Sequence, residues 1–436
     1  MTPQADARLR LEHLRSGVPL PPSVAPWVFG RAGVLTHLAG LLDTVSSRGS
    51  RSYALAANYG DGKTHTLRAL WHLASERNFV VSTIALTRET PLDRLDRVYP
   101  KLIADTYLPG AAQPGIARLV LGLNADAPEA RQLLEWARTE LHPKLYAVLL
   151  NLLDGQSTEA SEALLGDLER MDLGVADLKR IHRTNFHGPL KAPRFSAQRD
   201  VRDYLRLVDY LIRLRGCAGW VILFDEAELI SRLGRGGRAR SYSNIGHLAI
   251  DGMGAEHLLS VFAVASNFYT AVLLHRKDDQ LAPQWLAARA EDGGADACRR
   301  GIAVLQEAQL LSPLTPANWI QLLQNLLDAH EAAYDWSSGL TAESFWDVVR
   351  GITSETDTKV RVRLRLAIQW LDLAYQYGHA PHVRTIHGIS EVDLAEDPPA
   401  TGDGGLVAAA EDEGYATLAE NALSEGTEPA QTWLGS

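Results

Sequence analysis

The sequence predicts an α/β fold: a parallel sheet flanked by helices, with a helical insertion and a small C-terminal helical domain of lid or winged-helix-like type. Three observations predict it. A glycine-containing loop, Gly60-Asp61-Gly62-Lys63-Thr64, lies between a short apolar run at 52–57 and an amphipathic stretch from Lys63 to about Glu76. A second apolar run at 79–86 (FVVSTIAL) follows at once, and a strand–helix–strand order calls for a parallel pair with helices on its faces. A third run at 220–224 (WVILF) ends in two adjacent acids, Asp225 and Glu226.

Taken in order, residues 5–16 read as a short charged helix, followed by a Pro-rich connector over 17–26. Val28-Phe29-Gly30-Arg31 opens a helix reaching about Ser46, with Val34, Leu35, Leu38, Leu41 and Leu42 on one face. After the two strands, spacings of three and four make 112–184 mostly helical, and 185–195 reads as a loop. A helix at 198–215 leads into the third strand. Residues 231–244 (SRLGRGGRARSYSN) read as a Gly-rich loop bearing Arg232, Arg235, Arg238 and Arg240, either facing a pore or nucleic acid or simply solvated. Residues 258–265 form a strand and 308–314 suggest a further short one. Thr315 caps a helix running to Tyr334, with Pro316 in its first turn. Residues 341–378 are helical. The resulting division is 1–27 (helix and linker), 28–111 and 196–314 (two halves of the core), 112–195 (helical insertion), 315–390 (C-terminal helices) and 391–436 (acidic tail, read as disordered apart from a short helix near 414–424).

The chain has 436 residues, 46% hydrophobic and 22% charged, an ordinary globular composition. Its net charge of -10 comes from the end: residues 391–436 hold eleven acids and no Lys or Arg. Taking those eleven from the 53 acids leaves 42 against 43 basic residues, a near-neutral body. The tail can imitate DNA, dock a partner or merely solubilise. Cys217 and Cys298 form no CxxC pair, which argues against structural zinc. The first residues lack an apolar leader and no run reaches a membrane span, so a cytoplasmic, non-membrane protein is expected.

The chemistry is concentrated in Ala57-Asn58-Tyr59-Gly60-Asp61-Gly62-Lys63-Thr64-His65. This meets the phosphate-loop pattern GxxxxGK[ST] except that Ala57 stands at the first glycine. Gly60 and Gly62 allow backbone N–H groups to wrap a phosphate, Lys63 supplies a cation, Thr64 offers a hydroxyl to Mg²⁺, and the helix N-terminus faces the anion. Asp225 can hold the metal's water shell opposite Thr64, and Glu226 can polarise a water attacking the γ-phosphate. Lys63 and Asp225 are 162 residues apart, a gap that the helical block at 112–195 accounts for.

Further polar candidates surround this pair. Asn267, after the strand at 258–265, can reach the γ-phosphate or its water, or cap a helix. Arg289 and Arg276 can reach a neighbouring copy's nucleotide, or be solvated. Residues 358–366 alternate basic and apolar. As a strand they put Lys359, Arg361, Arg363 and Arg365 on one face; as a helix they put Arg361 and Arg365 together. One of these can sense the nucleotide in cis or meet DNA phosphates, or the face can be solvated.

Several segments carry a family resemblance. Leu14-Arg15-Ser16-Gly17-Val18-Pro19, the loop at 58–65, Leu223-Phe224-Asp225-Glu226-Ala227-Glu228, Leu314-Thr315-Pro316 and the arginines at 361–365 resemble the ATP-binding proteins of bacteriophage-exclusion (BREX) systems, BrxC/BrxD type, across residues 8–375. That family's loop has Gly and Glu where this chain has Ala57 and Asn58. Val28-Phe29-Gly30-Arg31 is similar to the segment beside the adenine in initiator-type AAA+ ATPases, which implies adenine-side roles for Phe29 and Arg31. The resemblance implies a P-loop AAA+ ATPase using ATP and Mg²⁺, acting on DNA or a DNA-bound assembly with defence-system partner proteins, as a homo-oligomer. A nucleotide-gated scaffold with little turnover is the alternative. A signalling ATPase would need an effector domain, and none is visible in the sequence.

Overall fold

A computed structural model describes residues 2–379, apart from 19, 22–23, 48, 124–125, 155–157, 192–193, 290–293 and 354–358. The acidic tail, its helix near 414–424 and the start of the basic segment at 358 lie outside the described residues.

The elements begin with α1 (Pro3–Ser16), α2 (Ala32–Ser47), β1 (Arg51–Ala57), α3 (Lys63–Glu76) and β2 (Phe79–Ala85). Then come α4 (Leu95–Ala104), β3 (Thr106–Tyr107), α5 (Ala117–Val120), α6 (Pro128–Glu140), α7 (Pro143–Asp154), α8 (Thr158–Arg170), α9 (Val175–Phe186) and α10 (Ala197–Leu214). The second half holds β4 (Gly219–Asp225), α11 (Arg235–Asp251), β5 (Leu258–Ala265), α12 (Asp278–Ala287), α13 (Gly294–Gln306) and β6 (Gln309–Leu310). Helices α14 (Pro316–Tyr334), α15 (Ala342–Ile352) and α16 (Val360–Tyr377) follow.

The sheet order is β3-β2-β4-β5-β1-β6. All pairs are parallel except β2 with the short edge strand β3. β1 pairs with β5 and β6, so β5 stands between the loop-bearing strand and the acid-bearing strand β4. Both faces of β4 are buried, which is why it reads as one unbroken apolar run. Trp220, Ile222 and Phe224 face a core built with α4, α10 and α11, while Val221 and Leu223 join Leu38, Leu42, Leu67 and Leu70 of α2 and α3 on the other side. Ala57 pairs with Ala265 and Ala85 with Asp225, so the carboxyl ends of β1, β5 and β4 align at one sheet edge. Ligands of open α/β sheets bind at that edge.

Residues 231–244 are not a loop. Residues 231–232 end a 3-10 turn (Ala227–Arg232) and 235–244 form the first part of α11. Glycines of α11 mark close packing: within the segment a Cβ on Gly236 would lie 2.6 Å from Trp285, and just beyond it one on Gly246 would lie 1.6 Å from the Ala297 carbonyl of α13. Two of the arginines are also engaged. Arg238 pairs with buried Asp278 at 2.7 Å, and Arg240 with Asp93 at 3.4 Å. The basic segment resolves as the start of a helix, α16, so Arg361 and Arg365 share a face. Helix α1 packs on α14 and α16, and α14 opens with a reciprocal capping box between Thr315 and Asn318.

Candidate nucleotide site

The loop after β1 turns through left-handed backbone at Gly60 (φ 84°) and Gly62 (φ 92°), conformations a side chain would strain. Ala57 is different. It is the last residue of β1, buried, and its carbonyl accepts from Ser266 N at 3.0 Å. It is absent from the positive-φ residues, so alanine meets no backbone penalty where the motif has its first glycine. Gly62 caps α3, whose first N–H groups point back into the loop.

Lys63 is buried and its Nζ donates to Glu228 Oε1 at 3.2 Å and to the Ala57 carbonyl at 3.5 Å. Thr64 Oγ1 donates to Asp225 Oδ2 at 2.5 Å. That contact brings together the phosphate loop and the strand-end acids, 161 residues apart in the sequence. A hydroxyl and a carboxylate oxygen side by side are hard donors of the kind Mg²⁺ takes alongside phosphate and water. Among the described residues no group of three or more His, Cys, Asp or Glu is placed to hold a metal by itself.

Glu226 follows with left-handed backbone (φ 57°), strained for a non-glycine residue. Its carboxyl is half-buried and is pushed above the usual range by burial, then by Glu228 and Asp225; Lys63 and Arg361 pull the other way. A raised carboxyl is suited to accept a proton near neutral pH. Glu228 was not among the residues predicted from sequence. Its Oε2 is buried with no hydrogen-bond partner. The signal was the third acid of Asp225-Glu226-Ala227-Glu228, which the 3-10 turn brings back to Lys63.

On the loop's outer side, Asn58 Nδ2 donates to Asp61 Oδ2 at 3.1 Å, and the Asn58 side-chain oxygen accepts from Ser266 Oγ. The residue contacting the loop from the end of β5 is therefore Ser266. Asn267 is exposed just ahead of a π-helical turn (Tyr269–Leu274), and its carbonyl accepts from Ala271 N. Buried Arg31 donates to Asp61 O at 2.9 Å and Ser312 O at 2.6 Å, bracing the loop from beneath. Phe29 is half-buried beside it. His65 Nε2 lies 2.5 Å from the Trp27 carbonyl, so that nitrogen carries the proton, and burial keeps the ring's pKa low. Its bond is to the N-terminal connector. Tyr59 is 48% exposed, with Arg361 over its ring and bonded to its hydroxyl at 3.0 Å. Arg289 stacks on Trp285, 3.7 Å from the ring centroid, at the end of α12 and does not join this cluster. Arg276 bonds the Ser231 carbonyl at 2.7 Å.

A glycine-rich turn at a helix N-terminus, a lysine within it, and a strand-end acid bonded to its threonine, all on a parallel sheet of this order, define a P-loop protein of AAA+ architecture. The family model described as BREX system ATP-binding protein BrxC/D matches residues 4–121 and 197–386, and the chain belongs to that family. The unmatched stretch between these segments contains α6 to α9. Among solved structures, the Walker-type ATPase PABY2304 of Pyrococcus abyssi is similar with a TM-score of 0.36 and 11% identity, over 82% of this chain and 71% of that one. No curated protein matches the chain. Among the described residues no helix is long and apolar enough to cross a membrane.

Proposed function

We propose that this ATP-binding protein hydrolyses ATP and couples that cycle to DNA, or to a DNA-bound complex, in anti-phage defence. The observation that carries the hydrolytic part is the 2.5 Å contact of Thr64 with Asp225, next to the raised carboxyl of Glu226. In this reading the backbone of residues 58–65 cradles the phosphates and Lys63 leaves Glu228 to neutralise them. Thr64 and Asp225 hold Mg²⁺, which when bound supplies charge neutralisation of the phosphates. Glu226 takes the proton of the attacking water. Asn267 and Arg361 approach the γ-phosphate side, and Phe29 and Arg31 the base side. Arg289, exposed just beyond α12, is available to a neighbouring copy in a homo-oligomer. DNA and partner proteins rest on family membership. Helices α6 to α9 are proposed as an accessory block inserted into the core.

The test is phosphate release with and without double-stranded DNA, together with MgATP calorimetry. Glu226→Gln is expected to retain MgATP binding and lose about 10²- to 10⁴-fold in turnover, the usual share of a general base. Tight MgATP binding by the wild type with no turnover would instead establish a nucleotide-gated scaffold. Turnover independent of DNA would remove the DNA part of the reading and leave the ATPase.

A further inference from the structure

The segment Leu14-Arg15-Ser16-Gly17 has no place in the chemistry above, yet it lies against an arginine of the site. Gly17 closes α1 with left-handed backbone (φ 74°). Its carbonyl accepts from Arg361 Nη2 at 3.3 Å, and the Ser16 carbonyl accepts from Arg365 Nη2. The same guanidinium of Arg361 donates through Nη1 to the Tyr59 hydroxyl, and the Arg361 backbone N–H donates to Gly60 O at 3.2 Å. Arg361 therefore bridges the end of α1 and the phosphate loop.

Space is tight at this point. A Cβ on Gly17 would sit 3.1 Å from Arg365 Nη2 and 3.4 Å from Arg361 Nε, closer than ordinary contact. The carboxyl end of a helix also carries partial negative charge that favours guanidinium groups. Helix α1 itself is fixed. Arg15 pairs with Asp372 at 2.8 Å and bonds the Tyr334 hydroxyl at 3.2 Å, and Arg8 bonds the Ala333 carbonyl at 2.9 Å. Asp372 also bonds buried His330, whose other nitrogen accepts from Trp336. The end of α1 is thus a rigid support, fastened to α14 and α16, with an arginine seated on it.

We propose that Gly17 and the carboxyl end of α1 are positioning elements that seat Arg361 against the phosphate loop, so that α1 sets how the site meets its nucleotide. This rests on the reading of the loop as an ATP site. Arg361 acts at the site; Gly17 acts through Arg361. The charge of Arg361 already reaches Glu226, whose proton affinity it lowers.

The experiment uses the full chain, MgATP calorimetry and steady-state phosphate release. The variants are Lys63→Ala, Arg361→Ala, Gly17→Asn, Arg365→Gln and the double variant Gly17→Asn with Arg361→Ala. Asparagine accepts left-handed backbone, so Gly17→Asn adds bulk with little strain. It is expected to lower kcat/KM by about 10- to 100-fold, the scale of a ~1 Å misplacement in a site. The loss falls in the same parameter, kcat or KM, as that of Arg361→Ala. The double variant falls below Arg361→Ala by no more than Arg365→Gln falls below the wild type, since the added side chain meets Arg361 and Arg365. Arg365→Gln, which removes the Ser16 bond and leaves Gly17 intact, gives a smaller loss in the same parameter and decides the matter if Gly17→Asn does not fold. Wild-type kinetics in the soluble variants, or losses that multiply in the double variant, overturn the proposal while the ATP site stands. Absence of MgATP binding by the wild type, with no difference from Lys63→Ala, removes the ATP site and this proposal with it.

Discussion

Two lysine–carboxylate pairs lie in different parts of the molecule and are built differently. In the helical block, Lys144 meets Asp167 at 2.7 Å with neither side chain exposed. Asp167 is fully satisfied: Oδ1 also accepts from Leu173 N, and Oδ2 accepts from the Tyr204 hydroxyl. The ammonium additionally sits over the Phe195 ring. At the sheet edge, Lys63 meets Glu228 at 3.2 Å, Glu228 is 19% exposed, and its second oxygen is buried without a partner. The first pair joins α7, α8 and α10 and has nothing left to bind. The second is loose and under-satisfied, in the loop where a phosphate would compete for the lysine. Incomplete satisfaction marks the pair that is built to be exchanged.

Four experiments would break or sharpen this contrast. The largest effect is expected in the block: Asp167→Ala strands a buried ammonium and should cost about 3–5 kcal/mol of stability in urea unfolding. MgATP affinity of the folded fraction should stay unchanged, and a mild loss would mean that the pair is not the closed structural unit described. A carboxylate bonded by backbone N–H groups comes next. Asp209, buried and bonded by Glu256 N, has its pKa raised by burial to about 6. The folded chain then keeps this proton where the unfolded chain has lost it, so stability falls as pH rises from about 4 to 6, by roughly 2–3 kcal/mol. Asp209→Asn should flatten that window, and an unaltered profile would count against the assignment. Third, Glu228→Gln removes the competitor for Lys63. If the pair is worth about 0.5–1 kcal/mol, MgATP affinity rises roughly two- to fivefold, and a loss of affinity would show that Glu228 supports the nucleotide instead. The smallest change is expected from the same variant's pH profile. Removing one negative neighbour lets the raised carboxyl of Glu226 ionise more easily, so the acid limb of turnover moves to lower pH.

Much of the core was legible because its signals are local. The bounds of α3 match the stretch read from Lys63 to Glu76, and β5 matches 258–265. Apolar runs at 52–57, 79–86 and 220–224 became β1, β2 and β4 with one-residue differences. The short edge strand β3 and helices α4, α12 and α13 escaped the reading. The one reversal, at 231–244, came from treating glycine as a loop signal, whereas Gly236 lets Trp285 approach α11.

What the sequence determined alone was the parts list: a glycine loop with Lys63 and Thr64, a buried strand ending in Asp225 and Glu226, and basic residues at helical spacing near 361. These depend on backbone conformation, apolar periodicity and residue chemistry, all of which act over a few positions. What the tertiary structure decided was which parts meet. Strand order placed β5 between the two motifs and brought Ser266 rather than Asn267 to the loop. The 3-10 turn carried Glu228 to Lys63, and the docking of α1 on α16 seated Arg361 beside Tyr59. Those pairings span more than 160 residues, and the packing of whole elements, which no local spacing encodes, sets them.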